Sequence, residues 1–184
     1  MKTDETKKRI LGAARETSKK VCVSCWQGDT QEKVEMWKIY GKEKNSVCVH
    51  AEMEKLEDVA RMYANEHAIG AYADIVEYVP PNIQCPSKVV KALVSNDAAG
   101  DMYYYFQKHK MYAFENEWRL AIWKEPDENL EEEKGITLSL STQEIVSKVV
   151  VSPFADDSFI DVVDDVLRRF GHNNIEVERS SLQL

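Results

Sequence analysis

The stretch Tyr112–Trp123, YAFENEWRLAIW, decides the fold class of this chain. Five of its large apolar residues fall on even positions, whereas Glu115, Glu117 and Arg119 fall on odd positions. Successive side chains of a β-strand point to opposite faces of a sheet, so this alternation predicts a strand with one apolar and one charged face. We expect burial of the apolar face, which carries Phe114, Trp118, Leu120 and Ile122.

Shorter apolar or alternating runs predict further strands at Val21–Trp26, Ser46–Met53, Ala73–Val79, Gly135–Leu140, Lys148–Phe154 and Ile175–Leu182. The first of these runs, Val21–Trp26, predicts a buried strand. Helical spacing of apolar residues predicts helices at residues 1–20, Val34–Tyr40, Met53–Glu66, Pro86–Leu93, Asp97–Lys110, Thr142–Ser147 and Phe159–Phe170. This order predicts the α+β class, as a single domain over residues 1–184 with a mixed, largely antiparallel sheet of about six or seven strands flanked by helices.

The chain has 184 residues, 43% of them hydrophobic, and a net charge of −8, as expected for a globular acidic domain. No apolar run approaches the ~18 residues of a membrane span. The amino terminus, MKTDETKKRI, lacks the apolar region of a signal peptide. We therefore expect a cytoplasmic protein that does not bind membranes, with its cysteines kept as thiols.

The negative charge is concentrated in one acidic loop, residues 124–134. Six acidic residues and no basic residue lie between Glu125 and Glu133, and the remaining chain carries 26 acidic against 24 basic residues. A protein that binds duplex nucleic acid needs a basic surface that displaces counterions from the phosphate backbone. The balanced charge excludes the chain from that class.

The four cysteines do not indicate a metal site. Cys22 and Cys25 match C-x-x-C, but residues three apart on a strand point to opposite faces. Cys48 and His50 lack the spacing of metal ligands. We expect no metal, and we assign the thiols to packing.

The charged face of the Tyr112–Trp123 strand has two interpretations. Glu115, Glu117 and Arg119 could form a solvated sheet face whose ion pair contributes well under about 1 kcal/mol. Alternatively, they could belong to a functional site, because Ser24 and Trp26 share one face of the first strand and Lys108 and Lys110 immediately precede the cluster. The sequence leaves both interpretations open.

Short motifs along residues 20–182 resemble a widespread family of microbial and phage-borne proteins that carry a domain of unknown function with SCW, MWxxY and ExExR signatures. The matching motifs occur in the family's order: Ser24-Cys25-Trp26, Met36-Trp37 with Tyr40, Tyr78, Lys108 or Lys110, Glu115-x-Glu117-x-Arg119, VVVSPFADD and Ser180-Ser181-Leu182. The resemblance assigns no reaction. Family members usually carry a further upstream segment, whereas here a charged helix precedes Val21. The resemblance therefore implies either a short member of the family or one part of a split arrangement, in which a protein partner supplies the missing segment.

The Glu-x-Glu strand, with a serine on another strand, is also similar to the arrangement in ADP-ribosyltransferases. This resemblance implies NAD as cofactor and Glu117 as the catalytic carboxylate, which would bind the ribose 2′-hydroxyl and stabilise an oxocarbenium-like transition state. Arg119 would keep Glu117 ionised. The residues themselves indicate no certain cofactor.

Three functions follow from these patterns. The leading hypothesis is a site for a small polar or nucleotide-like ligand, lined by Ser24, Trp26, Trp37, Tyr40, Lys110, Glu115, Glu117 and Arg119. The alternative is an NAD-using transferase or glycohydrolase that acts through Glu117. A third hypothesis is a non-enzymatic, phage- or defence-related protein that binds a partner and in which these residues only hold the fold.

Overall fold

A computed structural model of the chain describes residues 20–67, 69–80, 105–123 and 135–182. Residues 1–19 of the expected N-terminal helix, the helix expected at Pro86–Leu93, most of the helix expected at Asp97–Lys110 and the acidic loop all lie outside the described residues.

The described residues form eight strands, four α-helices and one 3₁₀ helix. The strands are β1 (Val21–Gln27), β2 (Val47–Ala51), β3 (Ala71–Ile75), β4 (Glu77–Val79), β5 (Gln107–His109), β6 (Glu117–Trp123), β7 (Val146–Val151) and β8 (Glu176–Arg179). The helices are α1 (Val34–Tyr40), α2 (Met53–Glu66), α3 (Thr142–Ile145) and α4 (Phe159–Arg169), and the 3₁₀ helix is Lys110–Glu115. Within these ranges, no helix combines the length and apolar character needed to span a membrane.

The α+β class is confirmed, but the expected single sheet of six or seven strands is wrong. The strands form three small sheets with the orders β1-β6-β3, β2-β7-β8 and β4-β5. One reason is that the single strand predicted at Ala73–Val79 divides at Val76, whose backbone N–H donates to the Glu117 carbonyl at the start of β6. Glu117 is the first residue of β6, so β6 has no earlier strand residue with which β4 could pair. Strand β4 pairs in parallel with β5 instead.

The chain divides into two compact units. The first unit comprises residues 1–28 and 60–138, and the second comprises residues 29–59 and 139–184. The first contains the β1-β6-β3 and β4-β5 sheets, and the second contains the β2-β7-β8 sheet. A single domain over residues 1–184 stays a prediction.

Strand β6 is the centre of the first unit and is buried on both faces. Burial of Trp118, Leu120 and Ile122 on the even face is confirmed. On the odd face Ala121 is also fully buried, and it packs with Phe106. The edge of the Tyr72 ring contacts Phe106, with the ring centroids 5.1 Å apart. Glu115 and Glu117 are also buried, so the interpretation of the charged face as solvated is wrong.

The strand predicted over Tyr112–Trp123 is correct only from Glu117 onward. The preceding residues form the 3₁₀ helix, in which Phe114 is half-buried. Asn116 ends that helix in the left-handed conformation, with φ 42° and ψ 56°. Asparagine tolerates this conformation better than most residues, so it allows the chain to turn sharply into β6.

Other differences from the predicted elements affect short segments. Strand β1 is an edge strand with an exposed middle rather than a buried strand. Residues Gln107–His109 form β5, although helical spacing extended the predicted helix to Lys110. Residues 135–140, expected to be a strand, have no regular secondary structure.

The second unit has β7 at its centre, with Val149, Val150 and Val151 all buried. Strand β2 pairs with β7 antiparallel, and β8 pairs with it in parallel. Helix α4 connects β7 to β8, as parallel strands require a crossover connection. The expected amphipathic helix at the α4 position is confirmed, although none of its side chains is fully buried.

Candidate functional site

The register of β6 determines which side chains meet on its charged face. Arg119 lies opposite Cys25 of β1 and Asp74 of β3, and Glu117 lies opposite Gln27 of β1. Directly opposed residues of paired antiparallel strands project to the same face of the sheet. The odd face of β6 is therefore polar at its start, near Glu117 and Arg119, and apolar farther along, near Ala121.

Glu117 and Arg119 form a bidentate ion pair in this face. The Arg119 Nε donates to Glu117 Oε1 at 2.7 Å, and a terminal guanidinium nitrogen donates to Oε2 at 3.0 Å. The other terminal nitrogen of Arg119 donates to the Tyr105 carbonyl. Glu117 is only 5% exposed. A bidentate geometry in a buried setting gives one of the stronger and more directional pairings available to these groups.

Lys108 joins this pair from β5. Its Nζ contacts the buried carboxylate of Glu115 and lies 3.2 Å from Glu117 Oε2. The same ammonium lies 4.9 Å from the centre of the Tyr112 ring. The Lys108 side chain is 24% exposed, so the ammonium is held by two buried carboxylates and still reaches the surface. We refer to Lys108, Glu115, Glu117 and Arg119 as the β6 network.

Two further side chains complete the surroundings of Glu117. Its backbone N–H donates to the Tyr78 hydroxyl oxygen at 2.7 Å, which ties β4 to the start of β6. The Cys25 thiol is hydrogen-bonded to the Glu117 carboxylate. Partial burial, together with that hydrogen bond and the negative charge of Glu117, raises the pKa of Cys25 to about 11. Cys25 is thus a neutral thiol donor at neutral pH rather than a nucleophilic thiolate.

The charges of Glu117, Arg119 and Lys108 are fixed over the physiological range. Burial alone would favour neutral Glu117, but hydrogen bonds from Arg119, Cys25 and Lys108 and the positive charge of Arg119 lower its pKa to about 2. Burial likewise opposes the charge of Arg119 and Lys108, yet their carboxylate partners raise the pKa of both groups. Glu117 is therefore an anchored anion and not a proton donor near neutral pH.

The lowered pKa of Glu117 predicts an acid-dependent loss of stability. An unfolded-state pKa near 4.5 and a folded-state pKa of about 2 correspond to about 3 kcal/mol of stabilisation. This contribution is complete above about pH 5 and is lost as the pH falls toward 2, because the unfolded chain binds the proton first. We expect Glu117→Gln to destabilise the protein at pH 7 and to approach the wild-type stability as the pH falls.

Urea unfolding of wild type and Glu117→Gln at several pH values between 7 and 2.5 tests this. The exposed Glu54 on α2 provides a control, since Glu54→Gln should leave the difference from wild type small at every pH. A constant gap between wild type and Glu117→Gln across the whole range would contradict the assignment.

The structure separates Ser24 and Trp26 from the β6 network. They lie opposite Leu120 and Trp118 in the register, and so project to the even face of the sheet, whereas Glu117 and Arg119 project to the odd face. The Trp26 indole N–H donates to the Ser24 hydroxyl at 2.9 Å. Of the β1 residues, Cys25 reaches Glu117, and the expected grouping of Ser24 and Trp26 with Glu117 is not found.

Trp37 and Tyr40 belong to α1 in the second unit. Trp37 is buried, and its indole N–H donates to Glu32 Oε2 at 3.0 Å. The other oxygen of Glu32 accepts hydrogen bonds from the backbone N–H and the hydroxyl of Ser181, at 2.9 and 3.0 Å. Trp37 therefore takes part in a contact that holds the C-terminal segment, and a ligand-binding role for Trp37 and Tyr40 stays a prediction.

The lysine that contacts Glu115 and Glu117 is Lys108 rather than Lys110. Lys110 begins the 3₁₀ helix and is exposed, whereas Lys108 on β5 contacts both glutamates of the β6 network. Sequence reasoning also missed the contacts that Cys25 and Tyr78 make with Glu117. The alternation of side chains along β1 separates Cys25 from Ser24 and Trp26. Only the register of β1 against β6 shows that Cys25 is the residue on the same face as Glu117.

Among the described residues, no three His, Cys, Asp or Glu side chains lie together as a metal ion requires. No family model, curated protein or solved structure matches the chain. The resemblance to the SCW, MWxxY and ExExR family stays a prediction, and so do the cytoplasmic location and the protein partner. The geometry of the β6 network is therefore the basis from which a function can be inferred.

Proposed function

We propose that the β6 network and Tyr112 form a binding site for a small polar, nucleotide-like ligand. The observation that supports it most directly is the Lys108 ammonium, which two buried carboxylates hold beside the exposed ring of Tyr112. A fixed cation next to an aromatic surface combines the two features that recognise a phosphate and a planar base.

The contacts of Lys108 suit it to bind an anion. An ammonium has three N–H donors, and within the described residues two carboxylate oxygens occupy two of them. The third N–H can point to a ligand oxygen. Because Glu115 and Glu117 already restrict the side chain, a ligand would meet a cation that has lost part of its conformational entropy beforehand.

Tyr112 supplies an aromatic surface. Tyr112 is 39% exposed, and the Lys108 ammonium lies over one face of its ring. A planar ligand group can stack on exposed ring area while its phosphate contacts the neighbouring ammonium. Tyr112, rather than Trp26, Trp37 or Tyr40, provides the flat aromatic wall of the proposed site.

The energetic cost of the β6 network supports a role beyond packing. Burying carboxylates and a guanidinium costs desolvation free energy, which well-packed apolar residues of similar volume would avoid. The ion pairs of Glu117 with Arg119 and Lys108 offset that cost but also fix the orientation of Lys108. Such an arrangement is useful where a surface cation must be presented in one position.

Replacing Lys108 tests this proposal. We expect wild type to bind ADP, and Lys108→Met to weaken that binding at least about tenfold, or about 1.4 kcal/mol. Isothermal titration with ADP, AMP, adenosine and inorganic phosphate measures the effect and separates the phosphate contribution from the base contribution.

Lys110→Met is the matched control, because Lys110 is two residues away and exposed. It should bind ADP as wild type does. Equal weakening of ADP binding by both substitutions would show that the effect comes from the loss of a positive charge anywhere in this region, and would contradict the proposed site. Failure of wild type to bind any of the four compounds would overturn the proposed ligand class.

NAD chemistry at Glu117 is the second candidate. It is favoured by the pKa of about 2, which keeps Glu117 ionised as a cationic transition state requires. The contacts of Glu117 weigh against it. Oε1 already accepts from Arg119, Oε2 accepts from Arg119 and Lys108, and the Cys25 thiol also donates to the carboxylate, so its four acceptor sites are taken. The buried carboxylate would have to exchange one of these partners for the ribose hydroxyl.

Nicotinamide release from NAD distinguishes the two candidates. We expect no release by wild type above the uncatalysed rate, since both Glu117 oxygens are occupied. The enzyme hypothesis would be favoured over the binding site by one result. Wild type and Glu54→Gln would release nicotinamide clearly, and Glu117→Gln would not. Circular dichroism of each variant verifies that folding is intact.

A further inference from the structure

Among the described residues, part of the apolar face of helix α4 is uncovered. Val162, Val166 and Phe170 are 53%, 47% and 76% exposed, and they recur every four residues along one side of the helix and its end. Val163 and Leu167, on the adjoining side, are half-buried. The apolar face of α4 is therefore wider than the part of it that packs against the rest of the unit. We call Val162, Val166 and Phe170 the α4 stripe.

The charges of α4 are segregated along its length. The acidic residues Asp161, Asp164 and Asp165 lie in its first two turns, and the basic residues Arg168 and Arg169 lie in its last turn. Arg168 pairs with Asp164 at 2.8 Å and Arg169 with Asp165 at 2.7 Å, with well-exposed side chains. At 100° per residue, Asp165 and Arg169 follow the edge of the α4 stripe.

We propose that the α4 stripe binds the same stripe of a second copy of this chain, with the two α4 helices antiparallel across a two-fold axis near Val166. The interface is isologous, so that Val162 of one copy lies near Phe170 of the other and the two Val166 side chains meet at the axis.

Charge complementarity favours a second copy as the occupant. Asp165 and Arg169 border the α4 stripe, whereas Asp164 and Arg168 lie on the opposite side of the helix. Antiparallel pairing places Asp165 of each copy near Arg169 of the other. A parallel arrangement would place like charges together. Exposed ion pairs of this kind contribute little free energy individually. They set the orientation, while the apolar stripe provides the affinity.

The packing geometry agrees with this arrangement. Residues spaced four apart form a ridge, and two such ridges interdigitate at a crossing angle of about −50°. Helices crossing at that angle touch over a short length. A stable interface buries about 800 Å² per partner, more than the three residues of the α4 stripe supply. We therefore expect a reversible, concentration-dependent dimer with a dissociation constant in roughly the micromolar to millimolar range.

Sedimentation of the full chain at concentrations up to about 1 mM tests for the dimer. We expect wild type to shift from monomer to dimer across this range, and Val166→Glu to raise the dissociation constant at least about 100-fold. Ile39→Glu is the matched control, because Ile39 is an exposed apolar residue of α1 outside the stripe. A wild type that remains monomeric, or a dimer that survives Val166→Glu, would overturn the proposal.

Charge exchange tests the orientation separately. The variant Asp165→Arg leaves only basic residues along the edge of the α4 stripe, and the variant Arg169→Asp leaves only acidic residues there. Each variant alone should be monomeric, whereas an equimolar mixture of the two should form a heterodimer. Self-association of either variant as strongly as wild type would refute antiparallel pairing through α4.

Discussion

Arg119→Met should destabilise the protein by about 3–5 kcal/mol at pH 7, because it leaves the buried Glu117 carboxylate without its bidentate partner. The result should lie toward the lower end of that range, since Lys108 still contacts Glu117 Oε2. Part of the loss comes from the Tyr105 carbonyl, which loses its guanidinium donor. Chemical denaturation measures the change in the free energy of unfolding.

A second substitution separates the charge effect from packing. Combining Arg119→Met with Glu117→Gln removes the uncompensated charge, so the double variant should be more stable than the sum of the two single effects by about 1–3 kcal/mol. Arg168→Met is the matched control, because its ion pair is exposed and should contribute at most about 1 kcal/mol. Additive effects of the two β6 substitutions would contradict the coupling described here.

Trp118→Ala should cost about 3–5 kcal/mol, the loss typical of a buried tryptophan. Trp118 lies between Trp26 of β1 and Ile75 of β3 in the register, so truncation leaves a cavity at the centre of the three-stranded sheet. Because the β6 network occupies the other face, the Lys108-dependent binding of ADP should be retained in the folded protein.

Met111→Ala provides the comparison for Trp118→Ala. Met111 is apolar but well exposed, and its truncation should change the free energy of unfolding by less than about 0.5 kcal/mol. A change below about 1 kcal/mol for Trp118→Ala would show that β6 does not hold this side chain in the core.

The apolar side of β6 could be predicted because it depends on local alternation alone. Trp118, Leu120 and Ile122 are buried as expected. Burial of the charged side could not be predicted, since Phe106 and Tyr72, the residues that pack around Ala121, come from distant segments. Alternation shows that two faces differ in polarity, but it does not show what covers each face.

Strand register limited the prediction of the site in the same way. Parity correctly separated Cys25 from Ser24 and Trp26 within β1. Which of these sets shares a face with Glu117 depends on how β1 aligns with β6, and a shift of one residue exchanges the two sets. Choosing between Lys108 and Lys110 required the end of β5 and the start of the 3₁₀ helix, which short-range spacing did not locate.

The division of the chain into two units has a consequence for the order in which the protein is made. Each unit combines an early and a late segment, and β2 pairs with β7 through Val49 and Val149, 100 positions apart. On the ribosome β2 emerges long before its partner, so neither three-stranded sheet can close until most of the chain has been synthesised. No single cut in the gene yields either unit intact, and isolating one would require joining its two segments through a new linker.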